Sequence, residues 1–289
     1  MELKRLGGSQ VLLPEIGFGT WQYTAGVKPL RAAIEQGACL IDTAETYGTE
    51  PIVGEAIRGL RHRVFLATKV RPGNFRRPKL IAAAERSLAR LGTDYIDLYQ
   101  LHWPNEIVPI EETMQGMSEL ADSGKIRFIG VSNFSVGQLQ KAQAALPKYR
   151  VVSNQVRYNL TERTIASGLL DYCLRNAITV LAFSPLGSGL SQIRAADPER
   201  VLARIAATIA KTEAQVALNW VVSKTNVIAL SKGSTAERVL ENCGASGWRL
   251  SPDELDLLDR KIRFRQRSKI ESTLRRLVRL NRQMIGKDL

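Results

Sequence analysis

Asp42, Tyr47, Lys69 and His102 are the residues of this chain whose types and spacing point to proton transfer. Asp42 and Tyr47 lie in one short turn, residues 42–48, directly after the apolar run Cys39, Leu40, Ile41. Lys69 closes the run that begins at Val64, and His102 closes the run that begins at Ile96. A polar group at the end of a buried strand is costly unless it meets a partner or a ligand. If the runs are parallel neighbours, all four residues converge at one end of a sheet. A tyrosine ordinarily ionises near ~10, and a neighbouring Lys69 ammonium is expected to lower that value. Asp42 would hold Lys69 in place, and a tyrosine hydroxyl flanked by an ammonium and an imidazole is a proton donor. The residues alone also allow a plainer reading, a buried Asp42–Lys69 ion pair with Tyr47 as a core aromatic.

The elements that must position these groups are legible as alternating runs. After a hairpin over residues 3–13, turning at Gly7 and Gly8, eight apolar segments are expected as strands: 16–19, 40–42, 64–69, 96–102, 126–132, 151–155, 179–184 and 227–232. Most are continuous β-branched and aliphatic runs, as parallel strands buried on both faces require. Amphipathic helices are expected over 29–36, 51–58, 78–91, 110–123, 136–146, 165–176, 199–211 with 214–222, and 236–243. This order predicts a closed (β/α)8 TIM barrel with an N-terminal β-hairpin. An open doubly wound sheet would need a third glycine after Gly17 and Gly19, or after Gly187 and Gly189, and neither site has one.

In a barrel, function gathers at the carboxyl ends of the strands. Those ends read Thr20 and Trp21, Asp42 with Tyr47, Lys69, His102 and Trp103, Ser132 and Asn133, Asn154 and Gln155, Ser184, and Lys232. Each offers a polar or aromatic group, while the opposite ends read as ordinary turns.

Composition narrows the alternatives. The three cysteines are widely spaced and the two histidines are too few for a typical metal site, so no metal is expected. The beginning of the chain lacks the apolar core of a signal peptide and no apolar run could span a bilayer, so the expectation is a cytoplasmic protein with no membrane partner. Residues 261–289 carry ten Lys/Arg and two Asp/Glu, most of the chain's formal charge of +13. The basicity is therefore a tail property, and no aromatic platform or motif supports a nucleic-acid partner.

Taken together, Asp42, Ala44, Tyr47, Gly48, Glu50, Val53 and Gly54, then Lys69, His102-Trp103-Pro104, Gly130 to Phe134, Asn154-Gln155, Ser184 to Gly187, and Lys232 with Arg238, Glu241 and Asn242, resemble the aldo-keto reductases. The resemblance runs from about Leu3 to Trp248. It implies an NADPH-dependent oxidoreductase that reduces aldehydes or ketones to alcohols, with Tyr47 as general acid assisted by Lys69, Asp42 and His102. It further implies that Thr20, Trp21 and Asp42 adjoin the cofactor, that Ser132, Asn133 and Gln155 hold the nicotinamide carboxamide, and that Phe183, beside Ser184, stacks on the ring. Leu186, Gly187 and Ser188 would follow the pyrophosphate. Lys232, Gly233, Ser234, Thr235 and Arg238 would surround the adenosine 2′-phosphate, with Glu241 and Asn242 at the adenine. Two cations and two hydroxyls there favour NADPH over NADH. Trp21 and Trp103 correspond to walls of a substrate pocket that also includes Tyr47 and His102.

Two positions depart from the family pattern. Gly233 replaces a common serine, and Leu190 replaces an acidic residue that in some relatives helps close a loop over the cofactor. Arg71, Arg76, Arg77 and Arg157, in loops after strands, are expected to be solvated rather than to attract carboxylates. The barrel is assigned to residues 1–263. A basic amphipathic C-terminal helical extension is assigned to 264–289, its Ile270, Leu274, Leu277, Val278 and Ile285 on one stripe and packed on or near the barrel. A monomer acting on a small-molecule carbonyl substrate is expected. The rival function is a catalytically slow, cofactor-sensing or regulatory barrel subunit.

Overall fold

The computed structural model describes residues 1–265 and Val278. An antiparallel hairpin of β1 (Leu3–Arg5) and β2 (Leu12–Pro14) precedes eight parallel strands. These are β3 (Ile16–Gly19), β4 (Leu40–Asp42), β5 (Phe65–Val70), β6 (Ile96–Leu101), β7 (Ile126–Ser132), β8 (Val151–Arg157), β9 (Thr179–Phe183) and β10 (Val227–Ser231). They pair in sequence order, and β10 closes on β3 to complete the barrel. The expected (β/α)8 fold is the fold observed.

Helices pack outside: α1 (Val27–Glu35), α2 (Glu50–Ile57), α3 (Arg77–Leu91), α4 (Ile110–Asp122), α5 (Val136–Ala144) and α6 (Leu169–Arg175), then α7 (Leu190–Ala196), α8 (Val201–Thr208), α9 (Glu213–Val222), α10 (Ala236–Cys243) and α11 (Pro252–Lys261). Local chemistry sets their ends. Reciprocal capping boxes start α5 (Ser135 with Gln138) and α9 (Thr212 with Gln215), and Gly92 ends α3 in the left-handed conformation at φ 62°. The helix expected from residue 165 begins only at Leu169, because Gly168 at φ 92° interrupts it. Two helices, α7 and α11, were not expected. For α11 a signal was present: Ser251, Pro252 and Glu254 form a capping box with proline in the first turn.

The inside of the barrel is lined by Leu40, Phe65, Ala67, Leu98, Leu181, Ile228 and Leu230, and Leu6 and Leu13 of the hairpin segment plug its amino end. Beneath that plug the fully buried Glu15 pairs with Arg249 at 2.7 Å. Lys4 donates to the carbonyls of Lys224 (2.7 Å) and Val227 (2.8 Å), closing this end further.

After α11 the chain returns to the open end, where the Arg265 amide donates to the carbonyl of Thr161 at 2.9 Å, in the loop after β8. Val278, placed on the docking stripe of the expected tail helix, is 55% exposed. The remainder of that expectation, including Ile270, Leu274, Leu277 and Ile285, lies outside the described residues.

Candidate functional site

Side chains alternate in and out along a strand, so the residue two places beyond an inward leucine or alanine also faces in. Leu40, Ala67, Leu98, Leu181 and Leu230 face the barrel interior. Two positions further on stand Asp42, Lys69, Gln100, Phe183 and Lys232, and two beyond Gln100 stands His102. The barrel's apolar filling thus gives way to chemistry within one layer. Tyr47 arrives differently, from the turn after β4.

Lys69 is fully buried, and a buried ammonium is tolerated only with its donors satisfied. All three are used: Asp42 Oδ1 at 2.6 Å, the Thr43 carbonyl at 2.8 Å and the Tyr47 hydroxyl at 3.3 Å. Asp42 Oδ2 accepts from Gln155 Nε2 at 2.8 Å and Gln100 Nε2 at 3.1 Å. The Tyr47 hydroxyl lies 3.4 Å from His102 Nε2, with the two rings at 73°. The four predicted residues therefore meet, and two glutamines hold the carboxylate that holds the lysine. Gln100 was not among the expected site residues, although Leu98, Gln100 and His102 share one face of β6.

Electrostatics differ from expectation in one respect. Burial raises the Tyr47 pKa; Lys69 pulls it back and Asp42 pushes it up again, so the net shift is upward rather than the expected lowering. Burial opposes the charge on Lys69, but Asp42 and Tyr47 outweigh it, and the ammonium is held above its ordinary value. Burial first, and Lys69 second, depress His102 to about 3, so its imidazole is neutral at physiological pH.

Around this centre, Ser132 and Gln155 are buried, and Ser132 Oγ donates to the Gln155 carbonyl at 2.8 Å. Asn133 Nδ2 donates to Ser132 Oγ at 2.9 Å and to the His102 carbonyl at 3.3 Å. Asn133 and Ser184 adopt φ 63° and 49°, a conformation that costs non-glycine residues energy and recurs where ligands are clamped. Phe183 is half-buried beside Ser184, and Leu186, Gly187 and the exposed Ser188 form the turn that follows. The Ser188 amide donates to Gln192 Oε1 at 2.8 Å. Trp21 is 53% exposed at the rim, and Trp103 is half-buried.

At the next strand end, Lys232, Ser234, Thr235 and Arg238 surround the exposed start of α10. Thr235 caps that helix by accepting from the Arg238 amide at 3.3 Å. Lys232 Nζ reaches the carbonyls of Trp21 (3.1 Å) and Gln22 (3.4 Å), and the Arg238 guanidinium bonds Glu241 at 2.6 Å. Asn242 is buried and donates to the Lys232 carbonyl at 3.2 Å. The glycine at 233 has a steric reason: a Cβ there would stand 2.9 Å from the backbone nitrogen of Val239. Two cations, two hydroxyls and a helix N-terminus form a donor set that fits a doubly charged phosphate.

Thr20, an expected cofactor contact, is covered by its neighbours. It is fully buried, bonding the Asp42 carbonyl at 3.0 Å and Thr49 Oγ1 at 2.9 Å. Arg71 and Arg76 are exposed, and Arg76 pairs with Glu112 at 2.8 Å. Arg157 is not a solvated loop residue. It belongs to β8, is half-buried, and its guanidinium lies 5.8 Å from the centroid of Phe183.

The fold and the sequence both have known counterparts. The model of the aldo/keto reductase family matches residues 15–263. A methylglyoxal reductase, YeaE of Escherichia coli, is 41% identical over 260 residues, covering 86% of this chain and 91% of the relative. The crystal structure of an aldo-keto reductase from Klebsiella pneumoniae in complex with NADPH superposes with a TM-score of 0.84 at 37% identity, covering 92% of this chain and 98% of that one. An aldo/keto reductase structure from the same organism, in complex with NADP and acetate, gives 0.83 at 37% identity, covering 91% and 96%.

Proposed function

The chain belongs to the aldo/keto reductase family and is an oxidoreductase of carbonyl compounds, and on that premise we propose that it reduces small aldehydes, 2-oxoaldehydes such as methylglyoxal among them, with NADPH. One observation carries the reading: the Tyr47 hydroxyl stands between Lys69 Nζ at 3.3 Å and His102 Nε2 at 3.4 Å, at the open end of the barrel.

When bound, the nicotinamide supplies the hydride. The protein's task is the proton. A carbonyl oxygen lodged against Tyr47 and His102 gains negative charge during reduction, and both groups can donate to it. Burial keeps Tyr47 protonated and ready at neutral pH, while the Lys69 ammonium makes the resulting phenolate less costly. His102, held neutral, donates without adding a charge that would compete with Lys69. Distances of 3.3–3.4 Å are looser than ideal hydrogen bonds, and catalytic contacts commonly tighten when substrate arrives.

Ser132, Asn133 and Gln155 are assigned to the carboxamide, Phe183 to the ring face, and Leu186, Gly187 and Ser188 to the pyrophosphate. Lys232, Ser234, Thr235 and Arg238 are assigned to the 2′-phosphate, which supports a preference for NADPH over NADH. Glu241, engaged with Arg238, and the buried Asn242 complete that end. Trp21 and Trp103 are assigned to the pocket wall. The cytoplasmic setting and monomeric state expected from the sequence belong to the same proposal.

The test is spectrophotometric: NADPH consumption with methylglyoxal and a panel of aliphatic and aromatic aldehydes. Turnover with several members supports the reading. Tight NADPH binding with no turnover on any of them would overturn it in favour of a regulatory, cofactor-sensing barrel.

A further inference from the structure

We propose that Arg157 selects among substrates, recognising a carboxylate carried a few bonds from the carbonyl that is reduced; the proposal rests on the reductase reading above. Arg157 follows Gln155 by two residues on β8, so it shares the inward face and stands one side-chain layer above Gln155. Its backbone pairs with Phe183 on β9. Gln155 is level with Ser132 on β7, and the pairing of Leu101 with Val131 brings His102 to that same level. Two strand spacings, about 10 Å, separate β6 from β8. The register thus puts Arg157 one layer nearer the mouth than Gln155 and His102 and two strands from the Tyr47–His102 pair, so a carboxylate bound by it would hang over the same opening.

The other charged groups of this rim are already engaged. Lys69 is matched by Asp42 at 2.6 Å, and Arg238 by Glu241 at 2.6 Å. Lys232 donates to two carbonyls of the loop after β3. Glu45 accepts from the Arg71 amide at 2.6 Å and from Asn74 Nδ2 at 3.1 Å. Arg157 differs: among the described residues its side chain makes no hydrogen bond or ion pair, and it lies over the face of Phe183. A half-buried guanidinium with a planar fork of unused donors is suited to a carboxylate, which it can bind through two parallel hydrogen bonds. Neutral aldehydes would gain nothing from it.

The experiment compares succinic semialdehyde with butanal, equal in chain length and differing in the carboxylate, using the full chain and NADPH. The ratio of kcat/KM for the charged to the neutral aldehyde is expected to fall at least tenfold in Arg157→Gln, chiefly through KM. Arg157→Lys should recover part of it, and raising the salt concentration should shrink the wild-type ratio. A second readout needs no turnover. Phenylglyoxal modification of Arg157, mapped by mass spectrometry without cofactor, should be slowed by succinate and not by butyramide. An unchanged ratio in Arg157→Gln overturns the proposal. So does a loss expressed as weaker NADPH binding, which would assign the guanidinium to the pyrophosphate. Failure of the wild type to reduce either aldehyde would instead count against the reductase reading itself.

Discussion

Gln155 and Asp42, 113 positions apart in the chain, meet at 2.8 Å on the floor of the barrel mouth. With Gln100 on the same oxygen, this contact fixes the carboxylate that in turn fixes Lys69. Replacing Gln155 by Leu leaves Asp42 Oδ2 with one donor, and stability should fall by ~1.5–3 kcal/mol, the usual worth of a hydrogen bond to a charged group. Urea unfolding at neutral pH measures it. A midpoint equal to that of the wild type would mean that Gln155 is not a structural support of Asp42.

Tyr47→Phe keeps the ring and removes the transferable proton. Carbonyl reduction is expected to drop ~10²–10⁴-fold, the range typical of general acid catalysis. NADPH affinity, read by fluorescence titration, should stay close to that of the wild type. Retained turnover in this variant would remove Tyr47 from the role of proton donor.

Lys69→Met strands the Asp42 carboxylate inside the barrel, where losing one partner of a buried pair costs roughly 3–5 kcal/mol. The double variant Asp42→Asn, Lys69→Met should regain much of that stability and none of the activity. Chemical denaturation and NADPH consumption, run on the same preparations, separate the two effects. Recovery of activity together with stability in the double variant would show that the pair only holds the fold.

His102 titrates at about 3 in the folded protein against an ordinary 6.5, so between those values the unfolded chain binds more protons. Stability present above pH 6.5 is therefore lost as pH falls toward 3. Replacing His102 by Gln should flatten the part of the stability–pH curve between these values. No limb in the activity profile between pH 5 and 8 should trace to this imidazole. An NMR titration placing His102 near 6.5 in the native protein would contradict both expectations.

Arg238→Ala should narrow the gap between NADPH and NADH. A charge-assisted hydrogen bond contributes about 1.5–3 kcal/mol, and the loss should fall on NADPH. Because Arg238 also bonds Glu241, part of that gain is offset by the competing carboxylate, and Glu241→Gln should tighten NADPH binding. Equal weakening of both cofactors in Arg238→Ala would place the guanidinium elsewhere on the dinucleotide.

The sequence by itself determined the barrel and the end at which its chemistry gathers, because both follow from local periodicity. Continuous apolar runs mark doubly buried strands, and a polar residue two places beyond an inward one must face the mouth, as Asp42 follows Leu40 and Lys69 follows Ala67. Elements outside the strand–helix alternation were less legible: α7 follows glycines that read as loop, and α11 follows the last strand–helix pair although a capping box starts it. Tertiary structure alone decided which side chains support Asp42, since closing the barrel brings β8 within reach of β4. It decided that Thr20 turns into a buried threonine cluster and that Arg157 turns toward Phe183. It also decided the sign of the shift on Tyr47. That sign is a contest between burial and the Lys69 charge, and burial depends on the whole surrounding packing rather than on neighbours along the chain.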